Sequence, residues 1–260
     1  MALHLLGILT LPSRTRFPQT MIRSFFFTLT LATSLSASEN LVFSNTQNWN
    51  PKYLQASKEN PRFLNPNWQT RFLPTPPPSN TSSETRKELN NLLKLQTLRT
   101  PADTKQIKQE IKPSGHQYLN YFPLSPAAKL EKPHTYQLLH NANLELAKVV
   151  FYFKAHFNRV RPSYLETSLR TSIPNPKHPA YPSGHATQAM TFALLLAELQ
   201  PQQKNALVKS AKSIAHNREI AGVHYASDSQ AGFTLAQSLV KEWLQNPDFK
   251  TLIAHAQSEW

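Results

Sequence analysis

Residues 182–201 read PSGHATQAMTFALLLAELQP, and this stretch decides the fold. Between its end prolines the apolar residues from Ala186 to Leu199 fall on nearly every side of a 3.6-residue helix. The pattern predicts a helix buried almost all round, opened at the Ser183-Gly184 step and closed before Pro201. It is shorter than the roughly 20 residues a bilayer span requires, which makes it the centre of a soluble bundle. Helical spacing recurs on both sides of it. Leu139, Leu146, Val149, Val150 and Phe153 predict a helix over Leu138 to Phe157 with Lys154 near its end, and further helices are predicted over Lys204–Arg218 and over Asp228–Gln245, where Asp228 is placed to cap. Upstream, Leu89, Leu92, Leu93 and Leu95 mark a helix over Thr85–Leu98, and Pro101–Ile111 reads as a short one. No strand pattern of comparable length competes. The expected fold is all-α, a compact helical bundle around a buried central helix, occupying residues 84–260.

Composition agrees with that expectation. Twenty-one Pro against five Gly point to helices bounded by stiff loops. Residues 39–83 are polar and Pro-broken, with Trp49, Tyr53, Phe63 and Trp68 interspersed, and end in LPTPPP at 73–78. They read as an extended N-terminal arm whose aromatics pack on the bundle. Residues 1–38 hold Arg14, Arg16 and Arg23 and no acid. Met21-Ile22-Arg23, the apolar run from Ser24 to Leu35 and the small residues Ser36-Ala37-Ser38 make a secretory signal peptide, with Met21 as an alternative start. An uncleaved anchor is the competing reading, weakened by the shortness of the apolar run. A periplasmic or secreted address follows. Loss of the leader takes the net charge from +13 to +10, a balance that favours anionic partners without choosing among them and does not require nucleic acid. With no cysteine, disulfides, thiolate nucleophiles and Cys-ligated zinc are excluded.

Three runs carry the chemistry: KAHFNRVRP over 154–162, PSGH over 182–185 and NREIAGVHYASD over 217–228. The Ser183-Gly184 entry to a helix exposes backbone N–H groups at its positive end, an anion seat with His185 beside it. Lys154 and Arg161 are seven apart, with Pro162 stopping any further helix, so the Lys is expected near a helix end and the Arg on the loop beyond it, where both can converge on one anion. Arg218 ends a helix, His224 follows six residues later on a loop with Gly222, and Asp228 comes four after the His; a carboxylate on one ring nitrogen of His224 leaves the other with a lone pair. Taken singly, each run has an ordinary reading as turn, solvated basic face or core histidine with a capping aspartate. Pro113–His116 repeats the PSGH tetrapeptide, but Tyr118, Tyr121 and Pro123 follow it instead of an apolar helix, so it is a decoy. His134, His140, His156, His178 and His216 have neither a paired carboxylate nor zinc spacing and read as surface or packing residues, and no metal site is expected.

Together the runs resemble the signatures of the type 2 phosphatidic acid phosphatase and vanadium-dependent haloperoxidase superfamily: Lys-x6-Arg-Pro, Pro-Ser-Gly-His and Ser-Arg-x5-His-x3-Asp. Asn217 stands where that pattern has Ser. Leader, helical body and LPTPPP connector make the chain similar to bacterial class A non-specific acid phosphatases. The resemblance implies a mostly helical fold and a metal-independent acid phosphatase without a cofactor, acting on a small phosphorylated substrate or a lipid phosphate. It implies that His224 attacks phosphorus to form phosphohistidine, that Asp228 holds its ring, and that His185 protonates the leaving oxygen. Lys154, Arg161, Arg218, Ser183 and Gly184 would hold the phosphate oxygens, and vanadate would bind as a phosphate mimic. A protonated His185 implies a mildly acidic optimum. Two alternatives stand: a vanadate-dependent haloperoxidase, and a non-catalytic module binding anionic lipid or polymer. A homo-oligomer is compatible with either address.

Overall fold

The fold was obtained as a computed structural model that describes residues 38–111 and 128–260. All but the last residue of the expected leader and the second PSGH copy lie outside these. Among the described residues the chain is helical and has no strand. Its α-helices, in order, are α1 (Pro51–Ala56), α2 (Trp68–Arg71), α3 (Ser83–Leu98), α4 (Pro101–Glu110), α5 (Ala128–Glu131) and α6 (Pro133–Phe157). There follow α7 (Pro162–Leu165), α8 (Gly184–Leu199), α9 (Lys204–Ile220), α10 (Ala226–Trp243) and α11 (Pro247–Gln257).

The PSGHATQAMTFALLLAELQP segment forms the axle. Ser183 is the N-cap of α8, and its hydroxyl accepts from the Ala186 N–H. Ala186, Ala189, Met190, Phe192, Ala193, Leu195 and Leu196 are all buried, and α9, α10 and α6 pack along this helix, with α11 against α6. Its small side chains let neighbours come close. A Cβ at Gly232 of α10 would lie 2.9 Å from the Ser183 carbonyl oxygen and 3.0 Å from both the Ala186 Cβ and the Thr187 nitrogen. Only glycine fits there, because two of those three obstacles are main chain.

Local chemistry sets the other ends. Ser82 accepts from the Thr85 N–H at 3.1 Å to start α3, and Thr100 with Asp103 closes a capping box on α4. Helix α6 begins at Pro133, five residues before the expected Leu138, because the Glu259 carboxylate accepts from the His134 and Thr135 N–H groups at 2.7 and 2.8 Å. Trp260 adds a bond from its indole N–H to the Thr135 hydroxyl, 3.0 Å. At the other end of α6, Asn158 takes the left-handed conformation (φ 48°), donating its N–H to the Lys154 carbonyl at 2.9 Å. That turn swings the chain back beneath the end of α6.

Two expectations change. Pro162 does not only end a helix; it stands at the first position of α7, where a missing N–H costs nothing and φ is already helical. Helix α11 extends the set past Gln245, started by Asn246 accepting from Phe249 N–H at 3.1 Å and by Pro247. The 39–83 segment carries α1 and α2, and it buries Phe43, Phe63 and Trp68. Phe63 meets Phe249 of α11 edge-on at 5.2 Å, and Trp68 meets Phe153 of α6 at 5.9 Å. No described helix is long and apolar enough to cross a membrane.

Gly232→Ala should lower stability by about 1–3 kcal/mol, the usual size of overpacking against an unyielding neighbour. Urea unfolding checks this, and an unchanged midpoint would mean that α8 and α10 do not meet so closely.

Candidate active site

The site forms where four segments meet: the C-terminal end of α6, the loop through Arg161, the N-terminus of α8 and the α9–α10 turn. Gly222 makes that last turn possible with φ 75°, a conformation L side chains rarely adopt. It places His224 two residues on, buried, with the α10 entry immediately after. Asp228 lies in the first turn of α10, where Tyr225 is the N-cap, and its Oδ2 accepts from the Tyr225 N–H at 3.0 Å. The expected capping role is thus filled from the N3 position.

The same Oδ2 accepts from His224 Nδ1 at 2.9 Å. On the other side of the ring, Arg161 Nη1 lies 3.0 Å from Nε2. A guanidinium can only donate, so Nε2 is the acceptor and the proton sits on Nδ1. Burial first, then the charge of Arg161, pushes the His224 pKa down to about 3, against the opposing pull of Asp228. Burial alone would raise the Asp228 pKa, but Arg159 and His224 bring it well below the usual carboxylate range. The pair is therefore a neutral imidazole on an ionised carboxylate, with the Nε2 lone pair directed at cations.

Lys154 is fully buried and its ammonium donates to the carbonyls of Pro179, Ala180 and Pro182 at 2.8, 3.0 and 2.6 Å. Burial and Arg161 push its pKa well below the ordinary lysine value. Three carbonyl acceptors nevertheless require all three ammonium hydrogens, so Lys154 braces the turn that leads into α8 and places a positive charge under it. Arg161 also donates from Nη1 to the Val223 carbonyl, 2.7 Å, which ties it to the residue before His224. Burial lowers its pKa to about 10, which still leaves it charged at neutral pH.

At the α8 N-terminus, Ser183 donates its N–H to the Asp228 main-chain carbonyl at 2.9 Å. Gly184 and the partly exposed His185 occupy the first turn beyond it. Desolvation, Arg218 and His224 together lower the His185 pKa well below 6.5, while the Glu110 main chain pulls the other way. Arg218, at the end of α9, pairs with the Glu110 carboxylate of α4, both buried. Asn217, the departure from the family pattern, donates to the other Glu110 oxygen at 2.6 Å. It therefore orients the counter-ion of Arg218.

All eight sequence-derived positions thus gather at the junction of α6, α8, α9 and α10. Four further residues join them that sequence reasoning passed over. Arg159, read as part of a solvated basic face, bonds Asp228 Oδ1 at 2.6 Å, and Glu88 of α3 bonds Arg159 in turn at 3.2 Å. Glu110 was an unremarked helix residue. His178 does pack, with Tyr53 and Phe151 flanking its ring, but its Nδ1 also accepts from Arg161 Nη2 at 3.0 Å. His216, too, has a carboxylate, pairing with Glu219 at 3.2 Å on an exposed face away from these contacts. The signal for the two glutamates was present but faint: Glu88 shares a stripe with buried Thr85 and Leu92, and Glu110 lies three residues after buried Ile107. Among the described residues no group of three or more His, Cys, Asp or Glu could hold a metal ion.

Residues 133–251, which carry all eight of these positions, match the model of the PAP2 superfamily. A non-specific acid phosphatase of Providencia stuartii is 31% identical over 84 residues, which are 32% of this chain and 34% of that protein. A non-specific acid phosphatase of Salmonella typhi is 27% identical over 195 residues, covering 70% of this chain and 76% of that one. The chain thus spans about a third of the first of these relatives and three quarters of the second. Among solved structures, a bacterial vanadium-dependent iodoperoxidase superposes with a TM-score of 0.62 at 16% identity, covering 80% of this chain and 61% of that one, a likeness of fold.

Folded His224 stays neutral down to about pH 3, whereas the unfolded chain takes up that proton near 6.5. The unfolded state therefore binds more protons in that window, so stability rises with pH across it and falls as pH drops from about 6.5. His178 and His185 act with the same sign. Urea midpoints should be lower at pH 5 than at pH 7, and nitrogen-15 NMR should find His224 as the neutral Nδ1–H tautomer at pH 5. An imidazolium there would contradict the geometry.

Proposed function

We propose that this protein is a metal-independent acid phosphatase that hydrolyses phosphate monoesters through a phosphohistidine on His224. The observation that carries the reading is the His224 imidazole, held by Asp228 in the Nδ1–H tautomer with Nε2 turned toward Arg161. The PAP2 match and the acid phosphatase relatives support the same chemistry.

In this reading the non-bridging oxygens lie against Arg161, Arg218, the Ser183 hydroxyl and the Gly184 N–H, over the charge of Lys154. The Nε2 lone pair attacks phosphorus as the bond to the ester oxygen breaks, and His185 gives that oxygen its proton. Asp228 stabilises the imidazole as it becomes cationic. Neutral His185 then takes a proton from water as the water oxygen attacks phosphorus and the P–N bond breaks, which returns His224 and releases phosphate. The same donor set suits vanadate, which should compete with substrate. Leaving-group choice falls to the loops outside the motifs, so that a small ester and a lipid phosphate both fit. Residues 1–38 would direct export and be removed, leaving a mature protein in the periplasm or outside the cell.

His224→Ala should reduce hydrolysis of p-nitrophenyl phosphate by at least ~10³-fold and abolish acid-labile labelling of the protein by phosphate, with chelators having no effect. A His224→Ala protein that keeps turnover overturns the reading. One that binds anionic vesicles as the parent does, with neither hydrolysing, marks a binding module; halide oxidation after vanadate loading marks a haloperoxidase. His185 must be protonated at the start, and its lowered pKa sets the alkaline limb of kcat/KM below about 6.5. Bound phosphate dianion raises that pKa, so the kcat limb should lie at higher pH. Rates flat to pH 9 in kcat/KM would remove His185 from the role.

A further inference from the structure

Asp228 presents two oxygens, and the His224 contact uses only one. Oδ2 accepts from His224 Nδ1 and from Tyr225 N–H. Oδ1 accepts from Arg159 Nη1 at 2.6 Å. Arg159 is itself fixed on every side: Nη1 also donates to the Ser227 hydroxyl at 2.8 Å, Nη2 donates to Glu88 Oε2 at 3.2 Å, and the guanidinium lies over the Tyr225 ring at 3.8 Å. Glu88 reaches back to the same turn, accepting from Ser227 N–H at 2.6 Å and from its hydroxyl at 3.0 Å. Arg159 is 5% exposed, and the Glu88 side chain 12%.

We propose that Arg159 and Glu88 are positioning residues for the His224–Asp228 pair, a buried relay that fixes the Asp228 carboxylate while leaving net negative charge facing the imidazole. The inference rests on His224 being the nucleophile. Its physical content is rotational and electrostatic. A carboxylate bonded at one oxygen turns about its terminal torsion; with Arg159 on the other oxygen it does not, and the imidazole it holds keeps one orientation. A buried Asp228 with Oδ1 unpaired would turn, or take up a proton, and in either case would lose control of the His224 tautomer. Arg159 alone would neutralise Asp228 and remove the anion that an imidazolium needs. Glu88 restores it: two carboxylates and one guanidinium sum to a single negative charge behind the ring.

The charges facing this pair come from several elements. Lys154 and Arg161 act on both His224 and Asp228; His185 and His178 couple to His224, and Tyr181 and Tyr225 to Asp228. Burial works against ionised Arg159, yet Asp228, Tyr225 and Glu88 raise its pKa, so the guanidinium stays charged throughout the working range. Arg159 lies behind Asp228 and makes no bond to His224, Arg161 or Ser183, which separates it from the anion seat.

The test is steady-state kinetics and NMR on full-length Arg159→Met, Arg159→Lys and Glu88→Gln proteins. Arg159→Met should lower kcat on the order of 10- to 100-fold, the effect of removing an outer hydrogen-bond partner of a functional imidazole, with KM within about twofold. Its acid limb should move to higher pH, because without the Arg159 charge either His224 or Asp228 takes up its proton at higher pH. Glu88→Gln should lower kcat with the acid limb moving the other way, and Arg159→Lys, which keeps charge but not the fork, should fall between parent and Met variant. A folded Arg159→Met protein with parental kcat and pH limbs overturns the proposal, as does a rise in KM alone, which would put Arg159 on the substrate. Should Arg159→Met not fold, the direction of the Glu88→Gln limb decides. If the parent itself neither turns over nor forms phosphohistidine, the reaction reading has failed, and the relay is judged by nitrogen-15 spectra: a single Nδ1–H tautomer of His224 kept in Arg159→Met overturns it, and its loss supports it.

Discussion

A single main-chain hydrogen bond, from Ser183 N–H to the Asp228 carbonyl, joins the two helix starts on which the site is built. It requires α8 and α10 to touch end to end, and they can do so only because Gly232 lies against the Ser183 carbonyl and Ala186. One crossing thereby fixes two parts of the site at once: the α8 N-terminus, capped by Ser183, and the first turn of α10, with the carboxylate that holds His224. Lys154 completes the constraint from α6 by drawing three carbonyls of the 179–182 turn onto its ammonium.

Placing so many cations in a dry junction has an electrostatic consequence. Lys154, Arg161, Arg159 and Arg218 are all nearly or fully buried, and each would repel the others without compensation. Two helices outside the signature motifs supply it. Helix α3 gives Glu88 to Arg159, and α4 gives Glu110 to Arg218. Among the described residues Arg161 has no hydrogen-bonded carboxylate and is instead held by the carbonyls of His178, Pro179 and Val223 and by two histidine nitrogens. Of these buried arginines it is therefore the one whose charge remains least compensated, and it points at Nε2.

The fold was legible because its main signal is local. A run of apolar residues from Ala186 to Leu199 can only be a buried helix, and Ser183, Asn158 and Pro201 mark ends that chemistry dictates. Motif spacing likewise exposed Lys154, Arg161, His185, Arg218, His224 and Asp228, since each lies within a few residues of another. Glu88 and Glu110 leave only a faint trace for the opposite reason: their partners are 71 and 108 residues away, and a place on an apolar stripe says little about whether a carboxylate turns inward. The start of α6 was missed in the same way, since Glu259, which caps it, is more than a hundred residues distant. Helix α11 could have been read from Asn246-Pro247 and the spacing of Phe249, Ile253 and Ala256, which is helical.

The bond from Arg161 Nη1 to His224 Nε2 engages the lone pair that the proposed reaction would use. A neutral electrophile arriving at the ring meets a nitrogen already engaged by a proton donor, and gains nothing that would loosen it. An oxyanion offers the guanidinium a stronger acceptor than an imidazole, so its arrival releases the ring as it binds. Under the proposed reaction, charge on the incoming molecule would thus be the key that uncovers the lone pair, and discrimination against uncharged alkylating or acylating agents would rest on an arginine's choice between two acceptors.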